Sequence, residues 1–390
     1  MKKTCDFCDC TETEENKIIG THENNICRSC AETALYLMEI EAEDTIFAKE
    51  ETVDEVLKTP KDYKKILDKY VIGQDEAKKV LSVAVYNHIQ KIKNKDTKMG
   101  KSNVLFIGPT GSGKTYLAET IADHLDLPLA IVNTTSLTAA GYIGEDVTSV
   151  LERLWKDADE DIERTEHGII FLDEIDKNAT SMGGTNNKDV SGKAVQQELL
   201  KILEGDKVKI YPEGSKKNRK SGEAVEINTA NILFIAGGAF VGLKDKPGVQ
   251  MNALGKVKPN DKKVPDTEEL INYGMIPEFI GRFPMIVELN EITEHDMKHI
   301  LTEPKDNIMS QFTNLFKLSG ATVKFTEEFI LKVAKEALEK KTGARGLRNI
   351  MENKLIDFMF DIDLYDDKEI TIGYKDDKIE LVHNKIEVLA

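Results

Sequence analysis

Four absences frame this sequence of 390 residues. No stretch approaches the ~18 consecutive apolar residues of a membrane-spanning helix, so the chain reads as one that does not enter a bilayer. The N-terminal MKKTCDFCDC has two lysines but no apolar run behind them, which excludes a secretory signal and makes the cytoplasm the expected compartment. Basic charge is in deficit: 53 Lys and Arg against 69 Asp and Glu leave a net charge of −16. General nucleic-acid binding feeds on neutralising phosphates with basic groups, and no run of basic residues interleaved with aromatics offsets the deficit. Cysteine is absent from residue 31 onward, so whatever thiols do here is confined to the first 30 residues.

What stands in those residues is ordered. Cys5 and Cys8 form one C-x-x-C pair, Cys27 and Cys30 a second, with 18 residues between the pairs. A reducing compartment disfavours disulfides, whereas two such knuckles can set four thiolates in a tetrahedron around Zn2+. Four protein ligands leave no open position, so the metal's role is structural. A module of about 45 residues cannot build a sufficient core alone and needs that metal to stay folded. Cys10 is a bystander thiol beside the set. The run ALYLMEI, residues 34–40, has helical character and suits either a core or a dimer face. Between Glu39 and Glu55 lie eight acids and one lysine, a solvated linker that ends near Thr59-Pro60.

The chemistry begins at NVLFIGPTGSGKT. A short apolar strand over Val104–Ile107 runs into GPTGSGKT, which fits G-x-x-x-x-G-K-[ST], and a helix follows with Leu117, Ile121 and Ala122 on one face. The loop Gly108, Pro109, Thr110, Gly111, Ser112, Gly113 offers backbone N–H groups and a helix N-terminus to the phosphates of ATP or GTP. Lys114 pairs with the β- and γ-phosphates, and Thr115 ligates Mg2+. A second apolar strand, GIIFLDEID, ends in Asp173, placed for the Mg2+ shell, and Glu174, placed to polarise the attacking water. A binding-only site does without that second acid, so the pair favours hydrolysis. Asp176 supports the loop. A third strand, NILFIAGGAF, extends a parallel sheet, giving a doubly wound α/β domain. Arg282 in IPEFIGRFP and Arg345 in KTGARGLR are isolated arginines, each either a solvated surface charge or a group that stabilises transition-state charge in phosphoryl transfer, from the same chain or a neighbour. In GYIGEDV, Gly141 and Gly144 flank Tyr142 and Ile143, an apolar loop whose tyrosine, taken alone, belongs more often to a core.

In order along the chain, the two cysteine knuckles, YVIGQDEAKKVL, GPTGSGKT, GYIGEDV, FLDEIDK, DVSGKAVQQELLKILEG, IPEFIGR and KTGARGLR resemble the ClpX-type protein unfoldases of the AAA+ class, from Cys5 to about Leu364. HslU-type unfoldases lack the cysteine module and match less well. The resemblance implies a treble-clef-like zinc module over 1–45, an acidic linker over 46–60, a large AAA+ ATPase domain over 61–290 and a small helical domain over 291–390. It implies ATP as the nucleotide, with Val71 and Ile72 against the adenine. Arg282 becomes the finger reaching the neighbouring subunit's ATP in a homohexameric ring, and Arg345 the sensor of the γ-phosphate within its own subunit. Tyr142 and Ile143 become the pore loop that grips substrate, and residues 185–195 a second pore loop. The implied partners are tagged protein substrates, adaptors and a ClpP-type peptidase, with dimerisation of the zinc module as a further expectation. The interdomain hinge is expected near Glu288–Glu291. In the small domain Ile330, Val333, Ala334, Ala337 and Leu338 share a helix face, and the tail EITIGYKDDKIELV reads as two strands around Asp376-Asp377.

Two departures from the family pattern stand out. The pore-entrance loop of the family carries Arg-Lys-His; here PEGSKKNRKSGE has Lys216, Lys217, Arg219 and Lys220 but no histidine. The family's peptidase-docking tripeptide, Ile-Gly-Phe-like, has no counterpart at the expected place, which reads MNALGKVK; Val241-Gly242-Leu243 fits by letter but comes too early. An apolar anchor at a loop tip is how such docking gains affinity. The expectation is therefore an ATP-dependent unfoldase and translocase whose ClpP partnership is open. A remodelling chaperone without a peptidase is the alternative. A nucleic-acid-associated AAA+ motor is disfavoured by the charge.

Overall fold

The computed structural model describes residues 4–8, 10, 11, 13, 17–20, 25–31, 59–94, 99–138, 145–180, 187–211, 224–243, 264–305, 307–340, 343–365, 368–375 and 378–382. They fall into two units, Met1–Lys58 and Thr59–Ala390. In the first unit, strands β1 (Ile18–Gly20) and β2 (Asn25–Cys27) pair antiparallel with Ile18 opposite Cys27. The chain folds tightly at the first knuckle, where the Cys5 N–H donates to the Cys10 carbonyl at 2.9 Å. Cys5, Ile18 and Cys27 are the buried residues of this small core. The run 34–40 and the acidic stretch lie outside the described residues.

The second unit opens at Thr59-Pro60, which cap and start helix α1 (Pro60–Tyr70). Thr59 and Asp62 form a capping box, and proline suits the first helical position, where no N–H is needed. Helix α2 (Asp75–Lys93) follows. Five strands then build one sheet: β3 (Val104–Ile107), β4 (Leu129–Asn133), β7 (Ile169–Asp173), β10 (Leu233–Gly238) and β11 (Met285–Glu288). The strands are parallel and ordered β11-β3-β10-β7-β4. Every residue of β3 and β10 is buried, as strands covered on both faces require. Helix α3 (Lys114–His124) leaves the end of β3 through the glycine loop, with Leu117, Ile121 and Ala122 buried. This is a doubly wound α/β architecture.

Between β4 and β7 lie the two-residue strands β5 (Leu137–Thr138) and β6 (Glu145–Asp146), which pair with each other, and helices α4 (Ser149–Asp157) and α5 (Ile162–Glu166). Helix α6 (Asn187–Leu203) then precedes a hairpin of β8 (Lys207–Ile210) and β9 (Val225–Asn228). Residues 185–195, expected as a loop, are thus helical from Asn187 on. The physical reason is packing: a Cβ at Gly192 would come within 2.7 Å of the Asn178 carbonyl oxygen, so glycine here seats the helix rather than breaking it. Helices α7 (Thr267–Tyr273) and α8 (Pro277–Ile280) lead into β11.

A second hydrophobic core follows. Helices α9 (Glu294–Thr302), α10 (Ile308–Leu318), α11 (Glu327–Glu339) and α12 (Arg345–Phe360) pack around Phe312, Phe316, Phe329, Val333 and Leu347. A three-stranded sheet closes it: β12 (Thr322–Phe325), β13 (Glu369–Lys375) and β14 (Lys378–Leu381), the last two antiparallel. Two details differ from the sequence reading. β12 was not expected, because four residues carry too little alternation to separate a strand from a loop. Leu338 is exposed, and Phe329 takes the buried place on α11. Among the described residues no helix is long and apolar enough to cross a membrane.

Candidate nucleotide site and cysteine cluster

The loop between β3 and α3 faces a cavity of about 480 Å3. Its walls come from three places. Thr110, Gly111, Ser112, Gly113, Lys114 and Thr115 form the floor. Tyr70 at the end of α1, with Val71 and Ile72 in the turn to α2, forms an apolar side. Ile292, Ile300, Ile308 and Arg345 close it from the small domain. The volume and a lining that sets an apolar side against a floor of polar and charged groups suit a mononucleotide. Gly108 and Pro109 do not line the cavity; their carbonyls accept hydrogen bonds from Lys114 Nζ at 2.7 and 2.9 Å. Burial pushes the Lys114 amine below the ordinary lysine range, against the pull of Asp173 and Asp176. A phosphate arriving at this floor offers Lys114 a stronger partner than those two neutral carbonyls.

Asp173 ends β7 directly opposite the start of α3. Thr115 Oγ1 donates to Asp173 Oδ2 at 3.3 Å, and the Glu174 N–H donates to Asp173 Oδ1 at 2.9 Å. A hydroxyl and a carboxylate converging at the phosphate loop are the donor set that Mg2+ takes, and the residues present fit it. When bound, the ion neutralises charge on phosphate oxygens. Glu174 is exposed, lines the cavity and has a φ of 56°, a left-handed conformation that a non-glycine residue holds only under constraint. Asp176 is buried, and its Oδ1 accepts from the Ala239 N–H at 3.1 Å, which ties the turn after β7 to the end of β10.

Arg345 reaches this site from the first turn of α12, where its Nη2 donates to Thr115 Oγ1 at 3.3 Å. The approach depends on the residue two positions earlier. Gly343 has a φ of 61°, and a Cβ there would lie 2.6 Å from Gly111 Cα, so the small-domain loop meets the phosphate loop main chain to main chain. One residue that the sequence reading passed over joins the same region. Gln74, buried and at a φ of 56°, donates through Nε2 to the Ser112 and Asn290 carbonyls at 3.2 and 2.9 Å and accepts from the Asn290 N–H at 2.8 Å. It thereby ties the phosphate loop to the segment that follows β11. The only sequence signal was its place in YVIGQ.

Arg282 does not come to this cavity. It precedes β11, whereas the phosphate loop follows β3, and the two strands are parallel with Met285 opposite Val104. The two groups therefore sit at opposite ends of neighbouring strands, and Arg282 pairs with Glu204 instead. Tyr142 and Ile143 lie outside the described residues, as do the pore-entrance basic residues Lys216, Lys217, Arg219 and Lys220. The residues on either side of the Tyr142 stretch are described: β5 pairs with β6, and Arg153 bonds Glu145 at 2.6 Å. Val241, exposed, lines the nucleotide cavity, and Leu243 packs on the main core.

In the first unit the sulfurs of Cys5, Cys8, Cys27 and Cys30 all lie within 4.8 Å of one another, and Cys10 is outside this set. Cys8 and Cys27 are 3.7 Å apart, and a tetrahedral zinc thiolate requires a sulfur spacing of about 3.8 Å. The Cys27 N–H points at Cys5 Sγ at 3.2 Å and the Cys30 N–H at Cys27 Sγ at 3.4 Å, which favours thiolates. The neighbouring thiols of Cys8 and Cys27 push the Cys30 thiol above its usual range. Four thiolates this close need a cation among them, and the site fits Zn2+ as a structural ion.

A parallel sheet with a glycine loop at its strand ends, an acid pair on the neighbouring strand and a helical domain over the cavity define a P-loop ATPase of the AAA+ class. Residues 99–286 match the family model of the AAA domain (Cdc48 subfamily), and residues 292–372 match that of the C-terminal, D2-small domain of ClpB protein. Together the two matches indicate a Clp/Hsp100-type AAA+ ATPase and support a protein-remodelling ATPase.

Proposed function

We propose that this chain is an ATP-dependent protein unfoldase and translocase of the ClpX type, working as a homohexameric ring. The observation that carries the reading is the shared cavity: one nucleotide touches both the phosphate loop and the small domain, so binding and hydrolysis alter the angle between residues 61–290 and 291–390. Glu174 takes a proton from the attacking water as its oxygen bonds to the γ-phosphorus and the bond to the β-phosphate oxygen breaks. Lys114 and Arg345 hold the charge that gathers on the γ-phosphoryl group. Val71 and Ile72 face the adenine, and a neighbour's Arg282 completes the site, consistent with its distance from its own cavity. Domain rotation moves the Tyr142–Ile143 loop, anchored at β5 and β6, along a central pore and pulls on a tagged polypeptide. Cys5, Cys8, Cys27 and Cys30 hold Zn2+ in a module that serves substrates or adaptors.

The test is unfolding of a tagged, folded fluorescent protein by the full zinc-loaded chain with ATP. Tyr142→Ala is expected to slow unfolding about tenfold or more while ATP hydrolysis stays within about twofold. Unfolding at full rate with ATPase intact would make the grip hypothesis wrong. MNALGKVK, in place of a docking tripeptide, favours a second reading on the peptidase question: a remodeller that works without ClpP. The place of Val241 at the nucleotide cavity supports it, because that residue is not at the tip of a docking loop. Adding ClpP to the same assay separates the two, since degradation of the substrate would exclude the stand-alone reading.

A further inference from the structure

Helix α9 carries a pair of histidines that neither the nucleotide site nor the cysteine cluster uses. His295 and His299 are one turn apart, and their Nε2 atoms are 2.9 Å from each other. His299 Nδ1 lies 2.5 Å from Glu303 Oε1, one turn further on. A carboxylate at that position can only accept, so Nδ1 of His299 carries the proton and its Nε2 presents a lone pair towards His295. This is the arrangement in which a carboxylate fixes the tautomer of a metal-binding imidazole and raises its basicity. His295 is exposed and His299 half-buried, so the pair opens to solvent and leaves room for water ligands. The neighbouring cation, Lys298, is engaged by Glu327 of α11 at 2.6 Å.

We propose that His295 and His299 form a chelating site for a divalent late transition ion, with Glu303 as the residue that orients His299. Ligand chemistry selects the class of ion. The 2.9 Å between the two Nε2 atoms puts both within reach of one ion, since nitrogens bound at about 2.0–2.1 Å lie about 2.9–3.4 Å apart. Imidazole pairs suit late first-row ions, and binding strength rises through Ni2+ to Cu2+. On binding, His295 shifts its proton to Nδ1, and the ring-to-ring hydrogen bond gives way to two metal–nitrogen bonds. The site stands on the helix that contributes Ile300 to the nucleotide cavity.

The experiment is equilibrium dialysis of the untagged, zinc-loaded full chain against Ni2+ in nucleotide-free buffer, with nickel and zinc both counted by elemental analysis. Ni2+ is the probe because it does not oxidise thiols. The expected result is one Ni2+ per chain above the H295Q/H299Q double variant, with zinc content unchanged. Each single variant, H295Q or H299Q, is expected to lose as much nickel as the double variant, since a chelate needs both rings. Glu303→Gln is expected to weaken nickel binding about tenfold while keeping its stoichiometry. Equal nickel binding by the parent and the double variant overturns the site, as does a loss that follows only one histidine. Unchanged affinity in Glu303→Gln overturns the orienting role. These residues lie on the outer face of α9, and an unchanged circular dichroism spectrum verifies that the variants are folded.

Discussion

His88 is enclosed by protein, and its Nε2 donates to the His167 carbonyl at 2.8 Å. Burial, with Lys91 and Lys101 nearby, lowers its pKa from 6.5 to about 4. The sign follows from which state takes up the proton. Between pH 6.5 and about 4 the unfolded chain protonates this histidine and the folded one does not, so stability is full above that window and is lost as pH falls through it. Lys101 is held down to about 7, by burial first and then by Lys91 and Arg282, so its contribution changes on the alkaline side. Urea unfolding of the parent is therefore expected to weaken steadily from pH 7 to 4.5, and His88→Gln, which keeps a donor, is expected to flatten that slope. An identical slope in the variant would remove His88 as its source. Neither His88 nor Gln74 could be singled out by sequence, because burial and distant partners define them. The Gln74 contacts span 38 and 216 positions. The phosphate loop and the acids after β7 were legible because their chemistry demands fixed residue types at fixed spacing, and the fold brings Lys114, Thr115, Asp173 and Glu174 around one cavity.

At the scale of elements, the strands and helices with strong periodicity were readable and the short or irregular ones were not. β3, β7 and β10 are apolar runs bounded by glycine or acid, and α3 shows its buried face plainly. α6 was partly missed, because a glycine and polar residues at its start resemble a loop when the contact with Asn178 is unknown. The turn between α1 and α2 gains its importance from position alone. Gln74 there holds Ser112 and Asn290 together, so the end of β11 cannot shift without pulling on the phosphate loop. Gln74→Asn tolerates the same left-handed backbone but is too short to span the gap. Leaving buried backbone groups unpaired is expected to cost about 1–3 kcal/mol in urea unfolding. A raised KM for ATP should accompany it, measured by steady-state hydrolysis. A variant with parental stability and parental KM would show that the tie is dispensable.

For the whole molecule, the separation of Arg282 from its own cavity has a measurable consequence. If the finger acts on a neighbour, Arg282→Ala and Lys114→Ala chains fail for complementary reasons. Each alone is expected to lose ATP hydrolysis by about 10³-fold or more. Mixed, a Lys114→Ala subunit lends its arginine to the intact site of an Arg282→Ala neighbour, and random mixing restores about a quarter of the interfaces. ATPase activity should then rise well above the sum of the two variants. No gain on mixing would place the finger within its own chain or outside the reaction. The sequence could name Arg282 only by resemblance, since its lack of reach to its own nucleotide is a property of strand direction.

The meeting of Gly343 with Gly111 bears on how such a machine should be mutated. Truncation scanning works by deleting side-chain atoms, and this seam has none to delete. A conventional scan would score both positions as unremarkable or, by inserting a methyl group, as damaging for reasons unrelated to lost contacts. Beside the Arg345–Thr115 hydrogen bond, the small domain thus meets the phosphate loop through a joint that subtraction cannot probe. Side chains lining the apolar side of the cavity can vary around it without altering the fit of one backbone against the other.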